Sequence, residues 1–570
     1  MTVALVLAGR ADAGLCGQLA ALGVRRVDAA DRTGPGLLTV AAAARAAGER
    51  VLICVGEDAV PEEVLARLLD AGATAAFTGV KGGALVVDTP DLDALARAAE
   101  SLAAANAAPA AAGALLSELT RRGVTVRVLD AGPDSEGAVA RLADPAARDV
   151  ARWAAARELR SAALYGISLG FGLVAAIWFS EPTVRAELLA VSALIGSFLA
   201  SRAGSLLAAT AREDRARHVV DWLGAACGLL TEFGLYAALA VSSAVASHWH
   251  PGAPAGLDGT FGHTLRNTFI ASWGGAGPAG VWRLAIAAMT VLAVRRMAEL
   301  GFEYTARAPA NLFHRAAMRT VEQAATLPPG ERLVLIALTA IFFGPRVTFG
   351  ALLCWGLVAA GYILAGQLVR SADMPVPYRG QAPDGGLAAY RGDGVVSRWI
   401  GGLVQGRLPP LPPVLVGLLV TFVLAALGLG NLPGILVLTP VEAMLLAALG
   451  ARHPHDGRLD WLVPALLLTG ECVFLAALGF SHRVPAPVVF ALLAAVIMRH
   501  IDLAYRARSG CGIAADRFGL GWDGRMLLAG LAAVFGIAPV AYAIISGYLW
   551  LLFCWDFLSG WLLPTVGDPS

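Results

Sequence analysis

Lysine is almost missing from this chain: Lys81 is the only one, and arginine supplies nearly all of the positive charge. Charge of either sign is sparse, at 15% of 570 residues against 57% hydrophobic. That balance excludes a soluble domain or a string of them, because a membrane must take up the apolar excess. The 44 basic and 43 acidic residues nearly cancel, which gives no ground for a nucleic-acid partner and leaves membrane lipids as the expected one. The seven cysteines (16, 54, 227, 354, 472, 511 and 554) form no C-x-x-C pair and no Cys/His cluster at zinc spacing. A disulfide framework and a zinc knuckle are therefore not expected. The N-terminal run Met1 to Gly9 lacks a basic region before it and meets Arg10 at once, so it reads as a first β-strand and not as a signal peptide.

What is present begins with short β-branched or apolar runs alternating with Ala/Leu-rich helical stretches. Strands are expected at 3–7, 51–55, 84–87 and 124–129, with helices at 15–22, 61–69, 92–102 and 112–122 between them. Such alternation predicts an α/β domain with a mainly parallel sheet over 1–145. The polar turn Gly132 to Gly137 leads to its end, and an amphipathic helix follows at 144–159, with Val150, Trp153 and Ala154 on one side and Arg148, Arg152 and Arg157 elsewhere. A helix of that kind lies at a membrane surface ahead of the first span.

From residue 162 the chain is all-α and polytopic, with about eleven runs long enough to cross a bilayer at 1.5 Å per residue. They fall near 162–180, 187–209, 219–246, 279–297, 332–346, 347–369, 412–430, 433–450, 461–480, 485–501 and 526–549. Arginines crowd alternate loops: Arg212, Arg215 and Arg217; Arg295, Arg296, Arg307, Arg315 and Arg319; Arg370 to Arg407; Arg452 and Arg458; Arg499 to Arg525. The loops between hold only Arg185, Arg266, Arg283, Arg346 and Arg483, so the N-terminus is expected in the cytoplasm of a multi-pass cell-membrane protein. A Pro/Gly-rich linker over 371–411, with Pro409-Pro410-Leu411-Pro412-Pro413, divides a six-span domain (146–370) from a five-span one (412–570).

The second and third spans carry Gly204-Ser-Leu-Leu207-Ala208-Ala-Thr-Ala211-Arg212 and Val220-Asp-Trp-Leu-Gly224-Ala-Ala-Cys-Gly228. With Trp222-Leu223, Glu232-Phe233 and Tyr236-Ala237, these resemble the CDP-alcohol phosphotransferase family, whose signature is D-x2-D-G-x2-A-R-x8-G-x3-D-x3-D. The resemblance implies a site where carboxylates hold divalent metal and the CDP pyrophosphate. Here Gly204, Leu207, Gly224 and Gly228 stand at the four aspartate positions, and the interval between the half-motifs is one residue short. Ala211-Arg212 persists. The expectation is an eroded, non-catalytic member that needs no metal, and the resemblance also implies a homodimer. Displaced acids Glu213, Asp214 and Asp221 are the route by which metal binding would survive. Asp221, three residues before Gly224, is rotated about 60° from that face of a helix.

Leu5-Val-Leu-Ala-Gly9 resembles the start of the phosphate-cradling loop of MobA-like and sugar-nucleotide nucleotidyltransferases, but the Thr-Arg and lysine of that loop are missing. Gly56-Glu57-Asp58 stands where such enzymes carry a metal-binding aspartate. A fusion of both parts resembles bifunctional enzymes that make and then use a CDP-alcohol. The last 160 residues or so resemble an uncharacterised domain found C-terminal to such transferases in actinobacterial proteins.

Polar clusters in the membrane half carry alternative readings. His453, His455, Asp456, Arg458 and Asp460 lie in one short loop, either a metal or phosphate site or a solvated loop with Asp460 as N-cap. His500, Asp502 and Asp523 either join that loop in one site, an active head-group transferase that would use Mg²⁺ or Mn²⁺, or stand apart with Asp502 and Arg506 as a helical ion pair. Within spans, Arg202 with Glu232 and Glu442 with Glu471 are candidates to meet, in each case either as structure or as a functional site. A transporter is a third class, for which inverted repeats with broken helices would speak, but the six-plus-five division gives no clear internal repeat.

Overall fold

The computed structural model describes residues 2–7, 24, 26–29, 34–55, 65, 68–69, 74–78, 83–97, 119, 124, 127–129, 137–208, 214–249, 277–305, 326–373, 390–404, 408–430, 432–453, 455, 457–509 and 518–557. Two compact units emerge, one of Met1–Ser168 with Phe198–Gly224 and one of Leu169–Ser197 with Ala225–Ser570.

The first unit holds a six-stranded sheet: β1 (Thr2–Leu7), β2 (Arg26–Ala29), β3 (Arg50–Val55), β4 (Ala75–Thr78), β5 (Gly83–Val87) and β6 (Arg127–Leu129), with helix α1 (Gly34–Ala47) between β2 and β3. In space the order is β2-β1-β3-β5-β4-β6. β1 runs parallel to β2 and β3, and β4 to β6, but β5 is antiparallel to both of its neighbours. The sheet is therefore mixed. Only residues 79–82 join β4 to β5, far fewer than a parallel crossover needs, so those strands must pair as a hairpin. Val51, Leu52 and Ile53 of β3 and Ala84 to Val87 of β5 are buried on both faces, as central strands are.

Sequence reading misses β2, β4 and α1, and of the strand expected at 124–129 the described part includes β6. A 3-10 turn at Thr89–Asp91 opens the helical stretch 92–97, with Asp88 accepting from the Thr89 N–H. The helices expected at 61–69 and 112–122 are described only at Leu65, Leu68, Leu69 and Leu119. Residues 15–22, the Arg10 to Gly17 loop, Glu57 and Asp58 lie outside the described residues.

Helix α2 (Ala138–Ala155) begins earlier than the pattern suggested and carries Pro145, the expected domain edge, inside it. Its face of Ala147, Ala151 and Ala154 packs with Leu164, Ala203, Leu206 and Leu207, while Leu142 and Trp153 stay exposed. Those partners belong to the ends of α3 (Ser161–Phe179) and α4 (Val184–Ala208), and α5 (Asp214–Trp249) follows.

The chain continues through α6 (Gly277–Thr305), α7 (Pro329–Phe343), α8 (Pro345–Asp373), α9 (Val395–Val404), α10 (Leu411–Gly430), α11 (Thr439–Ala447), α12 (Val463–Ser481), α13 (Ala486–Ser509), α14 (Gly521–Val534) and α15 (Ala538–Phe557). Among the described residues ten helical segments are long and apolar enough to cross a membrane, as in a multi-pass membrane protein. Large apolar side chains such as Ile177, Leu419 and Leu551 lie exposed on their outer faces, where water would reject them and lipid would not. α7, at 15 residues, falls short of a span; Gly344, at φ 82°, ends it before Pro345 opens α8.

The single span expected at 526–549 is two helices. Gly536, at φ 70°, bonds back to the Ala533 carbonyl and Ile537 to that of Ala532, the paired bonds with which a left-handed residue closes a helix. The segment 433–450 is also irregular: a 3-10 stretch (Pro433–Leu438), then α11 with Pro440 in its first turn, then a 3-10 turn (Ala448–Gly450). α6 packs against α8 and equally against α12 and α13, all within the second unit.

Candidate functional site

At the positions resembling the phosphotransferase signature, the first question is whether space remains for ions. Tyr165, buried in α3, occupies it at two of them. A Cβ on Gly224 would lie 2.8 Å from Tyr165 Cζ, and one on Gly204 would lie 3.1 Å from Tyr165 Cε1. Leu207 is buried in the apolar cluster on α2, and Ala208 is buried beside it. Gly228 has open space around it and is exposed. Ala211, Arg212 and Glu213 lie outside the described residues; Asp221 is exposed on α5.

Arg202 and Glu232, the two residues considered for an intramembrane pair, each have another partner. Arg202 Nε donates to Asp144 of α2 at 2.7 Å, both side chains buried. Glu232 instead accepts from Arg332 Nη2 of α7 (3.0 Å) and from the Tyr236 hydroxyl one turn along (2.9 Å). Each charge has a partner of opposite sign on another helix, Asp144 within α2 and Arg332 in the first turn of α7, which hydropathy alone does not reveal. Neither arrangement leaves a carboxylate free for catalysis.

The C-terminal bundle concentrates its charges. Glu471 of α12 accepts from Arg525 Nε (2.6 Å) and Nη2 (2.8 Å), a two-pronged pair, and its Oε2 lies 2.9 Å from His500 Nε2. Arg525 Nη2 is also 3.1 Å from that ring nitrogen, so the tautomer decides which contact is a hydrogen bond. Glu442 Oε2 accepts from the Thr421 hydroxyl at 3.4 Å. Asp523 uses both oxygens on backbone: Oδ1 accepts from Gly394 N–H (2.7 Å) and Oδ2 from Ser397 N–H (2.8 Å) at the start of α9. It is a helix cap reached from 126 residues away in sequence. Gly521, at φ 64°, touches Gly394 so closely that a Cβ would lie 2.2 Å from its nitrogen; only glycine permits this approach.

Around that clasp, Arg391 donates to Asp393 Oδ2 (2.7 Å) and to the Ala447 carbonyl (2.9 Å), and Trp522 donates to Asp393 Oδ1 (2.8 Å). Tyr390, Arg391 and Ser397 are fully buried, so residues 390–404, part of the expected linker, are built into the bundle. Asp502 accepts from Arg506 (2.9 Å), the expected helical pair, and Arg499 bridges Asp502 and Asp556. Arg391, Asp393, Arg499 and Asp556 are members that sequence reasoning missed.

The loop expected to supply a His/Asp site is divided. Asp460 does not cap α12; its carboxylate turns back to accept from Gly457 N–H (2.9 Å), and no side chain caps that helix. Asp456 lies outside the described residues, Arg458 is exposed and His453 half-buried. Among the described residues neither ring nitrogen of His455 has a hydrogen-bond partner. Burial, with the Arg391 guanidinium and then His453 nearby, pushes His455 down to about 3, so its ring is neutral. His500, Asp502 and Asp523 are engaged elsewhere and do not join this loop in one open site. Among the described residues no three of His, Cys, Asp and Glu converge in a way that could hold a metal ion.

A small cavity of about 20 Å³ lies between α10, α11, α12 and α14, lined by Gly417, Thr421, Ala447, Gly470, Glu471 and Trp522 among others.

Residues 383–561 match a family described as a family of unknown function, DUF5941. The match spans the clasp, the Glu471–Arg525–His500 group and the cavity. No curated protein matches the chain.

Proposed function

We propose that the chain is a multi-pass protein of the cell membrane, with its N-terminal region in the cytoplasm, that derives from a CDP-alcohol phosphotransferase and acts without that catalysis. Its role is then that of a regulatory or scaffolding component of phospholipid or cell-envelope lipid metabolism. The observation that carries this reading is the Tyr165 ring set against Gly204 and Gly224. Two divalent ions beside a pyrophosphate need several carboxylate oxygens and room for them; the positions that would supply both are occupied by glycines and an aromatic ring. The alternation of arginine-rich loops supports the orientation. By the same resemblance, the mixed-sheet region is read as a nucleotidyltransferase-like α/β domain without its phosphate loop.

The alternative, a head-group transferase at the C-terminal His/Asp residues, finds three of its described acids engaged: Asp523 in a helix cap, Asp502 with Arg506, Asp460 in its own loop.

Calorimetric titration of the full chain in lipid nanodiscs with Mg²⁺ or Mn²⁺ and CDP-diacylglycerol tests the proposal. No saturable, metal-dependent heat is expected. Strong binding that disappears in Asp221→Asn would show that a displaced acid has rescued the site.

A further inference from the structure

Three polar side chains occupy the middle of three consecutive apolar segments: Thr421 in α10, Glu442 in α11 and Glu471 in α12. Thr421 and Glu471 line the cavity, whose volume suits about one water molecule. Glu442 adjoins two of the lining residues. Its Oε2 meets the Thr421 hydroxyl, and its Oε1 is buried against Gly417, where an added Cβ would stand 3.4 Å away.

The two glutamates differ in their company. Glu471 is matched by Arg525 and touches His500, whereas among the described residues Oε1 of Glu442 has no hydrogen-bond partner and no cation pairs with either oxygen. A bare carboxylate in hydrocarbon is far costlier than the neutral acid. The backbone around Glu442 is broken by 3-10 turns on both sides of α11, an irregularity that membrane interiors tolerate where backbone is buried or lines a cavity.

We propose that Glu442, Thr421 and the adjoining cavity form a proton-binding site, exchanging one proton through a cavity water toward the Glu471–His500–Arg525 group. The step is a proton transfer: the O–H bond of the Glu442 carboxyl breaks as one forms on the water, a second O–H bond of that water breaks as one forms on the Glu471 carboxylate, and reversal restores both. A metal cation is disfavoured because Arg525 stands behind Glu471 and both Glu471 oxygens are engaged. Among the described residues the titratable group lining the cavity is Glu471 of α12; Arg525 and His500 contact Glu471, Arg391 donates to the Ala447 carbonyl, and Asp393 accepts from Trp522. The inference is independent of the phosphotransferase resemblance.

Infrared difference spectroscopy of the full chain in nanodiscs reads the carboxyl directly. The expected result is a protonated-carboxyl carbonyl band that shifts on transfer to D₂O, vanishes in Glu442→Gln, and changes frequency in Thr421→Ala. Glu442→Asp, which keeps the acid, should retain a displaced band and guards against misreading a folding defect. A spectrum without any Glu442-dependent band, or a band that never moves in D₂O, overturns the proposal.

Discussion

The surroundings of Tyr165 and those of Glu471 treat buried polarity in opposite ways. Near Tyr165 glycine and leucine stand where the proposed resemblance would place carboxylates, and an aromatic ring with apolar packing lies against them. Near Glu471 the charges are kept and almost all are matched: Glu471 with Arg525, Asp502 with Arg506, Asp523 with two backbone amides. One region packs an aromatic ring against glycines, while the other uses its charges to join helices distant in sequence. The difference separates buried charge that could do chemistry from buried charge that fixes a packing arrangement.

The strongest attempt to break that comparison is Arg525→Met. Leaving Glu471 buried without its cation should cost about 3–5 kcal/mol and lower the thermal midpoint of the detergent-solubilised chain, whereas Arg525→Met with Glu471→Leu should recover much of the loss. An unchanged midpoint in the single variant would mean the pair does not hold the bundle. Next comes Gly224→Leu, which forces atoms into Tyr165 and should cost about 1–3 kcal/mol. Gly228→Ala, with open space around it, should be neutral or slightly stabilising by the same melting assay, since alanine favours a helix by about 0.5–1 kcal/mol over glycine. Equal effects at the two glycines would refute the filled-core account.

The smallest effect concerns His455, whose value lies below its ordinary 6.5 in the fold, at about 3. The unfolded chain binds that proton first, so the contribution is intact above pH 6.5 and is lost as pH falls from there toward about 3. Unfolding measured across that window should show a gentler decline in His455→Asn than in the native chain. Identical slopes would place the acid sensitivity elsewhere.

Much of the membrane region was legible because a span needs about 20 apolar residues and leaves an unambiguous run. The break at Gly536 was hidden, since both flanks are equally apolar and only the glycine's left-handed turn marks it. β2 and β4 escaped because each is four residues long with a single β-branched side chain. In the C-terminal bundle the i,i+4 pair Asp502–Arg506 could be read from spacing, but the Arg202–Asp144 and Asp523–α9 contacts span 58 and 126–129 residues. No local pattern encodes such partners; they follow from which helices the fold brings together. Arg391 looked like one more loop arginine, and only its complete burial sets it apart.

Manganese resonance tests the central claim most directly. With the full chain in nanodiscs containing CDP-diacylglycerol, the free Mn²⁺ signal should remain undiminished as protein is added. A saturable loss of that signal, dependent on the nucleotide lipid, would contradict the account and return a metal site to the bundle around Tyr165.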